Sequence, residues 1–151
     1  MFEDNLAEVQ AKVNEALANR KEKKATGDSV TILAVTKNHP ADVITEALDA
    51  GLTDVGENRV QEAMHKQAVL PKAGVWHLIG HLQTNKAKHA VEHFDIIESV
   101  DSVKLLEILN KYAEELGKFQ DILLQINEAG EQQKSGFAPE EIGRASCRER
   151  V

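Results

Sequence analysis

The sequence is short of cysteine, of basic charge and of long apolar runs. A single cysteine, Cys147, in 151 residues excludes an internal disulfide and a thiolate-built metal site, and it suits a reducing, cytoplasmic setting. Lys and Arg number 18 against 25 Asp and Glu, a formal charge of −7. That balance argues against nucleic acid as a partner, because phosphate-backbone binders present a basic face. No apolar stretch approaches the roughly 18 residues of a membrane span, and the first helix-like segment interleaves charge with hydrophobes. Neither a transmembrane helix nor a signal peptide is therefore expected. Familiar nucleotide and hydrolase motifs are missing too: there is no Gly-x-Gly-x-x-Gly, no Walker loop and no serine nucleophile elbow. What remains, 42% hydrophobic and 28% charged, is ordinary globular composition at about the length of one domain or part of one.

The C-terminal end differs from the rest. Residues 144–151 carry Arg144, Arg148 and Arg150 against Glu149, which leaves 15 basic and 24 acidic groups in residues 1–143. Pro139-Glu140-Glu141-Ile142 reads as a helix start, yet the amphipathic continuation does not follow. The basic end is short and lacks interleaved aromatics, so residues 144–151 read as a non-native tail and residues 1–143 as the folding unit.

Within 1–143 two patterns alternate. Leu6, Val9, Val13 and Leu17 recur at helical spacing, followed by a charged turn from Lys21 to Asp28. Val30 to Thr36 is a short β-branched apolar run, as a strand buried on both faces requires. Pro40 opens a helix with Val43, Ile44, Ala47 and Leu48 on its apolar face, and Gly51 closes it. The cycle repeats with strands expected near 53–56, 75–80, 96–100 and 120–127 and helices over 58–69, 85–94 and 102–116, with Asp101 capping the last helix and Gly117 ending it. Strand centres only about 21 to 25 residues apart require strand–helix–strand units and a parallel α/β sheet. Periodicity leaves an open doubly wound sheet and a (β/α)8 barrel equally open, the barrel being necessarily incomplete at this length.

Polar residues gather where these strands end: Lys37, then Glu57 and Asn58, then His81 and Gln83, Asp101, and Asn127. Both architectures hold their ligands at the carboxyl ends of the strands. Parity puts Leu33, Val35 and Lys37 on one face, Trp76 and Leu78 opposite His77 and Ile79, and Ile122, Leu124 and Ile126 opposite Gln125 and Asn127. An inward lysine among apolar neighbours would favour the neutral amine used in imine formation. The alternatives are an ion pair with Glu57 or a snorkelling side chain. Asn58 either positions a ligand oxygen or caps the following helix. His77 and His81 span a strand end and a turn, while His89 and His93 flank Glu92 without the His-Glu-x-x-His order, so no metal is expected.

Four blocks add a resemblance: Ala34-Val-Thr-Lys37, Asp49 to Glu62 with Gly-Glu-Asn58 at its centre, Trp76-His-Leu-Ile-Gly80-His-Leu-Gln-Thr-Asn-Lys86, and Gln125-Ile-Asn127 followed by Lys134-Ser-Gly136. In this order and spacing they resemble the YggS/PROSC-type pyridoxal phosphate homeostasis proteins, which are similar to the N-terminal barrel of alanine racemases. The resemblance runs from the first helix to about residue 143. It implies a parallel (β/α)8, TIM-type barrel, present here as about five of its eight strands. It implies pyridoxal 5′-phosphate (PLP) as cofactor, bound as an imine to the lysine ending strand one, here Lys37. Asn58 matches the asparagine beside the cofactor, and His77 and Asn127 match positions lining the same mouth. The family's phosphate-binding residues lie in later strands, in keeping with phosphate sites near strands seven and eight of such barrels.

The function implied is a PLP carrier or regulator in the cytoplasm without an established turnover, with PLP-dependent apoenzymes as the partners such a carrier would serve. The alternative is a racemase-like PLP enzyme. That chemistry needs a second acid–base residue opposite the lysine, typically a tyrosine, and Tyr112 falls on the helix before strand five.

Overall fold

The computed structural model describes residues 2–21, 29–70 and 74–143. Helix α1 (Phe2–Ala18) leads into strand β1 (Leu33–Val35). Then follow α2 (Asp42–Asp49), β2 (Asp54–Glu57), α3 (Val60–Val69), β3 (Val75–Leu78), α4 (Ala87–His93), β4 (Ile96–Val100), α5 (Val103–Glu115) and β5 (Asp121–Leu124). Most of the charged turn after α1 and the whole basic tail lie outside the described residues.

All five strands pair parallel and in chain order, β1-β2-β3-β4-β5. That order decides between the two architectures left open by periodicity. A doubly wound sheet reverses its strand order at a switch point, whereas here every strand lies beside its successor, as in a (β/α) barrel. The sheet is an arc of five barrel strands with helices on one face.

Residues opposite one another in the register point the same way, so two faces can be read directly. Val55, Trp76, Leu78 and Ile97 are fully buried beneath Ile44 of α2, Val60 and Ala63 of α3, Ala90 and Val91 of α4, and Leu105 and Leu109 of α5. The opposite face carries Leu33, Val35, Gly56, His77 and Ile96 in register.

Several boundaries differ from the expected ones for local reasons. The helix expected from residue 85 starts as a single 3-10 turn over Thr84–Lys86. β5 stops at Leu124, and the chain beyond it is held by an isolated bridge between Ile126 and Phe137, so Ile126 is exposed instead of packing under helices. The cap of α5 is Ser102, whose hydroxyl accepts from the Leu105 amide at 3.2 Å; Asp101 has another partner. Gly51 and Gly117 follow their helices with positive φ, as expected of C-terminal glycines. Pro139 opens one 3-10 turn, Pro139–Glu141.

Candidate functional site: the carboxyl edge of the sheet

Because the strands are parallel and sequential, their carboxyl ends lie along one edge, and Lys37, Asn58, His81, Asp101 and Asn127 all follow those ends. Lys37 stands two residues beyond β1 in a tight turn. The Thr36 amide still donates to Gly56 in the strand ladder at 3.1 Å, and the His39 amide donates back to the Thr36 carbonyl at 3.1 Å. Asn38 completes the turn at φ 61°, a left-handed conformation that asparagine tolerates better than most residues. The Lys37 side chain is exposed. It is not paired with Glu57, whose carboxylate points to the helix side of the sheet and is taken by Lys66 at 2.6 Å. The apolar surroundings expected around Lys37 are likewise absent, because the residue lies past the strand and in solvent.

Asn58 begins the next loop, half-buried. Capping does not account for it: the N-cap of α3 is Arg59, with no side-chain cap bond. Its backbone is instead packed against Gly80 at the end of β3. A Cβ added at Gly80 would lie 2.3 Å from the Asn58 carbonyl oxygen, so only glycine lets the two loops touch.

His77 lies in the body of β3, level with Gly56 and Ile96 and one layer below the edge. Its Nε2 faces Asp54 at 2.8 Å and its Nδ1 faces Glu98 at 2.6 Å. Burial pushes the Asp54 carboxyl upward, but hydrogen bonds from Thr53 and His77, together with the His77 charge, outweigh it and hold Asp54 below its usual value. The imidazole is thereby fixed between strands β2 and β4.

At the next strand ends His81 Nδ1 faces Asp101 at 3.2 Å, which is the partner Asp101 takes in place of the α5 cap. Asn127 anchors a loop. Its amide donates to Phe137 at 2.9 Å, and its Nδ2 donates to the carbonyl of Glu131 at 2.9 Å and of Lys134 at 3.3 Å. Gln125 reinforces the same loop through Ser135 at 2.9 Å. The edge therefore carries Lys37, Asn58 and Asn127 after β1, β2 and β5, with His77 one layer below on β3.

A buried ionic cluster behind Lys37 was not anticipated. Lys66 Nζ donates to Glu57 Oε1 at 2.6 Å, the Thr36 carbonyl at 2.8 Å and Glu62 Oε1 at 2.9 Å. The Thr36 hydroxyl donates to Glu57 Oε1 at 2.6 Å, and the Asn38 amide donates to Glu62 Oε1 at 2.6 Å. The hydrogen bond from Lys66, assisted by that from the Asn38 amide and by the nearby positive charges, overcomes partial burial and holds the Glu62 carboxyl below its usual value. The signal was in the sequence. Glu57 is in phase with Val55 beneath the helices, and Lys66 is in phase with the buried Val60 and Ala63 of α3.

On α4 the ligand atoms of His89, Glu92 and His93 lie within 4.8 Å of one another. Within the group His89 Nδ1 faces Glu92 at 3.0 Å, and His93 Nδ1 faces Gln67 of α3 at 2.7 Å.

Residues 10–149 match the model of the alanine racemase N-terminal domain. The chain belongs to the alanine racemase N-terminal domain family. Among curated relatives it is 41% identical over 140 residues to the pyridoxal phosphate homeostasis protein of Pseudomonas aeruginosa, covering 92% of this chain and 60% of the relative. It is 38% identical over 142 residues to that of Escherichia coli K12, covering 91% of this chain and 59% of the relative. The chain thus spans about 60% of the length of the curated relatives it matches. PipY of Synechococcus elongatus, solved with PLP bound, is 42% identical and superposes with a TM-score of 0.69 over 89% of this chain and 63% of PipY. Alanine racemase of Clostridium difficile, 14% identical with a TM-score of 0.66 over 92% of this chain and 35% of the racemase, shares the fold.

The residues at the edge fit a PLP-type ligand in kind. Lys37 offers an exposed primary amine, and Asn58 offers an amide free of a capping bond. Below them Val35, Gly56 and Ile79 form an apolar floor. Gly56 keeps it low, since a Cβ there would sit 3.1 Å from Leu33 and 3.4 Å from Ile79.

Proposed function

We propose that the chain binds PLP at the carboxyl edge of the sheet, with Lys37 as covalent anchor, and serves cytoplasmic PLP homeostasis without an established turnover. One observation carries the reading: an exposed lysine amine stands at the end of strand one, on a peptide held from both sides, in a chain about 40% identical to PLP homeostasis proteins. When bound, the cofactor supplies an aldehyde that condenses with a primary amine, forming a C=N bond and releasing water.

The chain's own residues supply the rest. Asn58, at the end of the neighbouring strand β2, offers both a donor and an acceptor. Asn127 has committed its Nδ2 to the loop, which leaves Oδ1 to accept. His77, held by Asp54 and Glu98, adds one polar ring to the otherwise apolar floor below the edge. PLP-dependent apoenzymes are the partners that such a carrier would supply. The racemase reading finds no second acid–base group in Tyr112, which packs against the core from α5 on the helix side of the sheet.

Borohydride fixation of bound PLP followed by peptide mapping tests the reading. Label should concentrate on Lys37 over the exposed Lys111 and Lys134. Lys37→Ala should remove it, and Lys37→Arg should not restore it because a guanidinium stays protonated. Label spread evenly, or concentrated on Lys134 or Lys86, would overturn the assignment.

A further inference from the structure

We infer that Lys66, reaching from α3 on the opposite face of the sheet, is the positioning residue that fixes where Lys37 presents its amine. The inference rests on the PLP reading, and it concerns a residue whose own partners are Thr36, Glu57 and Glu62, not the Lys37 side chain. Lys66 is buried, and its ammonium has three donors. All three are used: on the Thr36 carbonyl, on Glu57 and on Glu62.

Those contacts bracket Lys37. Thr36, the residue before it, is held by its carbonyl through Lys66 and by its hydroxyl through Glu57. Asn38, the residue after it, is held by its amide through Glu62, whose carboxylate Lys66 also binds. One buried cation therefore fastens the peptide on both sides of an exposed lysine. Glu57 Oε2 is buried without a hydrogen-bond partner, and the Glu57 charge is balanced by Lys66 alone among the ion pairs of the described residues. The cluster cannot lose Lys66 and keep its arrangement, because an unpaired carboxylate in the interior would have to move or be neutralised.

Such a device suits capture by an exposed amine. A free lysine has four rotatable bonds, so the amine can be aimed only if its backbone stays still, and small misplacements of a reacting group reduce its effectiveness steeply.

The test uses two readouts. The first is the ratio of borohydride-fixed PLP on Lys37 to that on Lys111 and Lys134 of the same molecule. This internal ratio cancels differences in concentration. The second, independent of PLP, is hydrogen exchange of the Asn38 amide. Lys66→Met should lower the labelling ratio about tenfold and speed Asn38 exchange about tenfold, and Lys66→Arg, which keeps the charge, should recover a large part of both. If Lys66→Met does not fold by circular dichroism, Glu62→Ala decides. It leaves the buried Lys66–Glu57 pair in place and removes the hold on Asn38 together with one of the three Lys66 contacts, and it should lower the ratio about threefold. A folded Lys66→Met or Glu62→Ala with wild-type ratio and wild-type exchange overturns the inference. A wild-type chain that shows no preference for Lys37 overturns the PLP reading instead, and Asn38 exchange then still tells whether Lys66 holds the turn.

Discussion

On the helix side of the sheet Val55, Trp76, Leu78 and Ile97 have no solvent exposure worth counting, whereas on the other side Val35 and Leu123 keep 46% and 54% of theirs. Both faces also carry charge, and they handle it differently. On the packed side Glu57, Glu62 and Lys66 form a closed cluster that uses every ammonium proton. On the open side His77 is bracketed by Asp54 and Glu98, whose carboxylates remain partly in water. The packed face supplies stability through burial, so its charges must be matched inside the protein. The open face can share its charges with solvent, and a ligand can replace that solvent.

The sharpest test of this contrast is Trp76→Ala. It should cost about 3–5 kcal/mol, the usual loss for a buried aromatic, read as a shift in the urea midpoint. Next comes the edge itself. Gly80→Ala should cost about 1–3 kcal/mol, because the added methyl must displace the Asn58 backbone, and it should weaken labelling of Lys37 as well.

The third test is acid. Asp54 and Glu62 both titrate below their ordinary values of 3.8 and 4.5 when folded. Their contribution is therefore present above the unfolded pKa values and is lost as pH falls through the lower, folded ones. Urea midpoints should hold from neutral pH down to about 4.5 and then decline, with Asp54→Asn and Glu62→Gln each flattening part of the decline. The smallest effect belongs to Leu123→Ser on the open face, which should change stability by no more than about 0.5 kcal/mol. A cost close to that of Trp76→Ala would mean that the open face is covered in solution.

Much of this architecture was legible in the sequence. β4 falls on Ile96–Val100 as read, because a β-branched run bounded by Asp95 and Asp101 leaves little choice of boundary. The parity of β3 sorted Trp76 and Leu78 from His77 correctly, since a two-residue period is unambiguous when one face is packed. The α5 cap was misplaced by one residue because Asp101 and Ser102 are both good caps, and only the backbone decides which hydroxyl or carboxylate meets the Leu105 amide. Strand order could not be read from periodicity, since the same repeat serves two topologies, and only the family resemblance pointed to the barrel. At the edge, the positions of Lys37 and Asn58 followed from the strand ends. The partner of Glu57 did not, because pairing across 9 residues from strand to helix depends on how α3 is rotated against the sheet.

Gly80 has a consequence for how variation in this chain would be interpreted. It has no side chain to do chemistry, yet the closeness of two strand ends depends on that missing side chain. In a survey of all substitutions, this position would score among the least tolerant, with almost every replacement unfavourable. Its intolerance would come from clearance alone, a tolerance gap of the kind a machinist leaves between two parts that must meet.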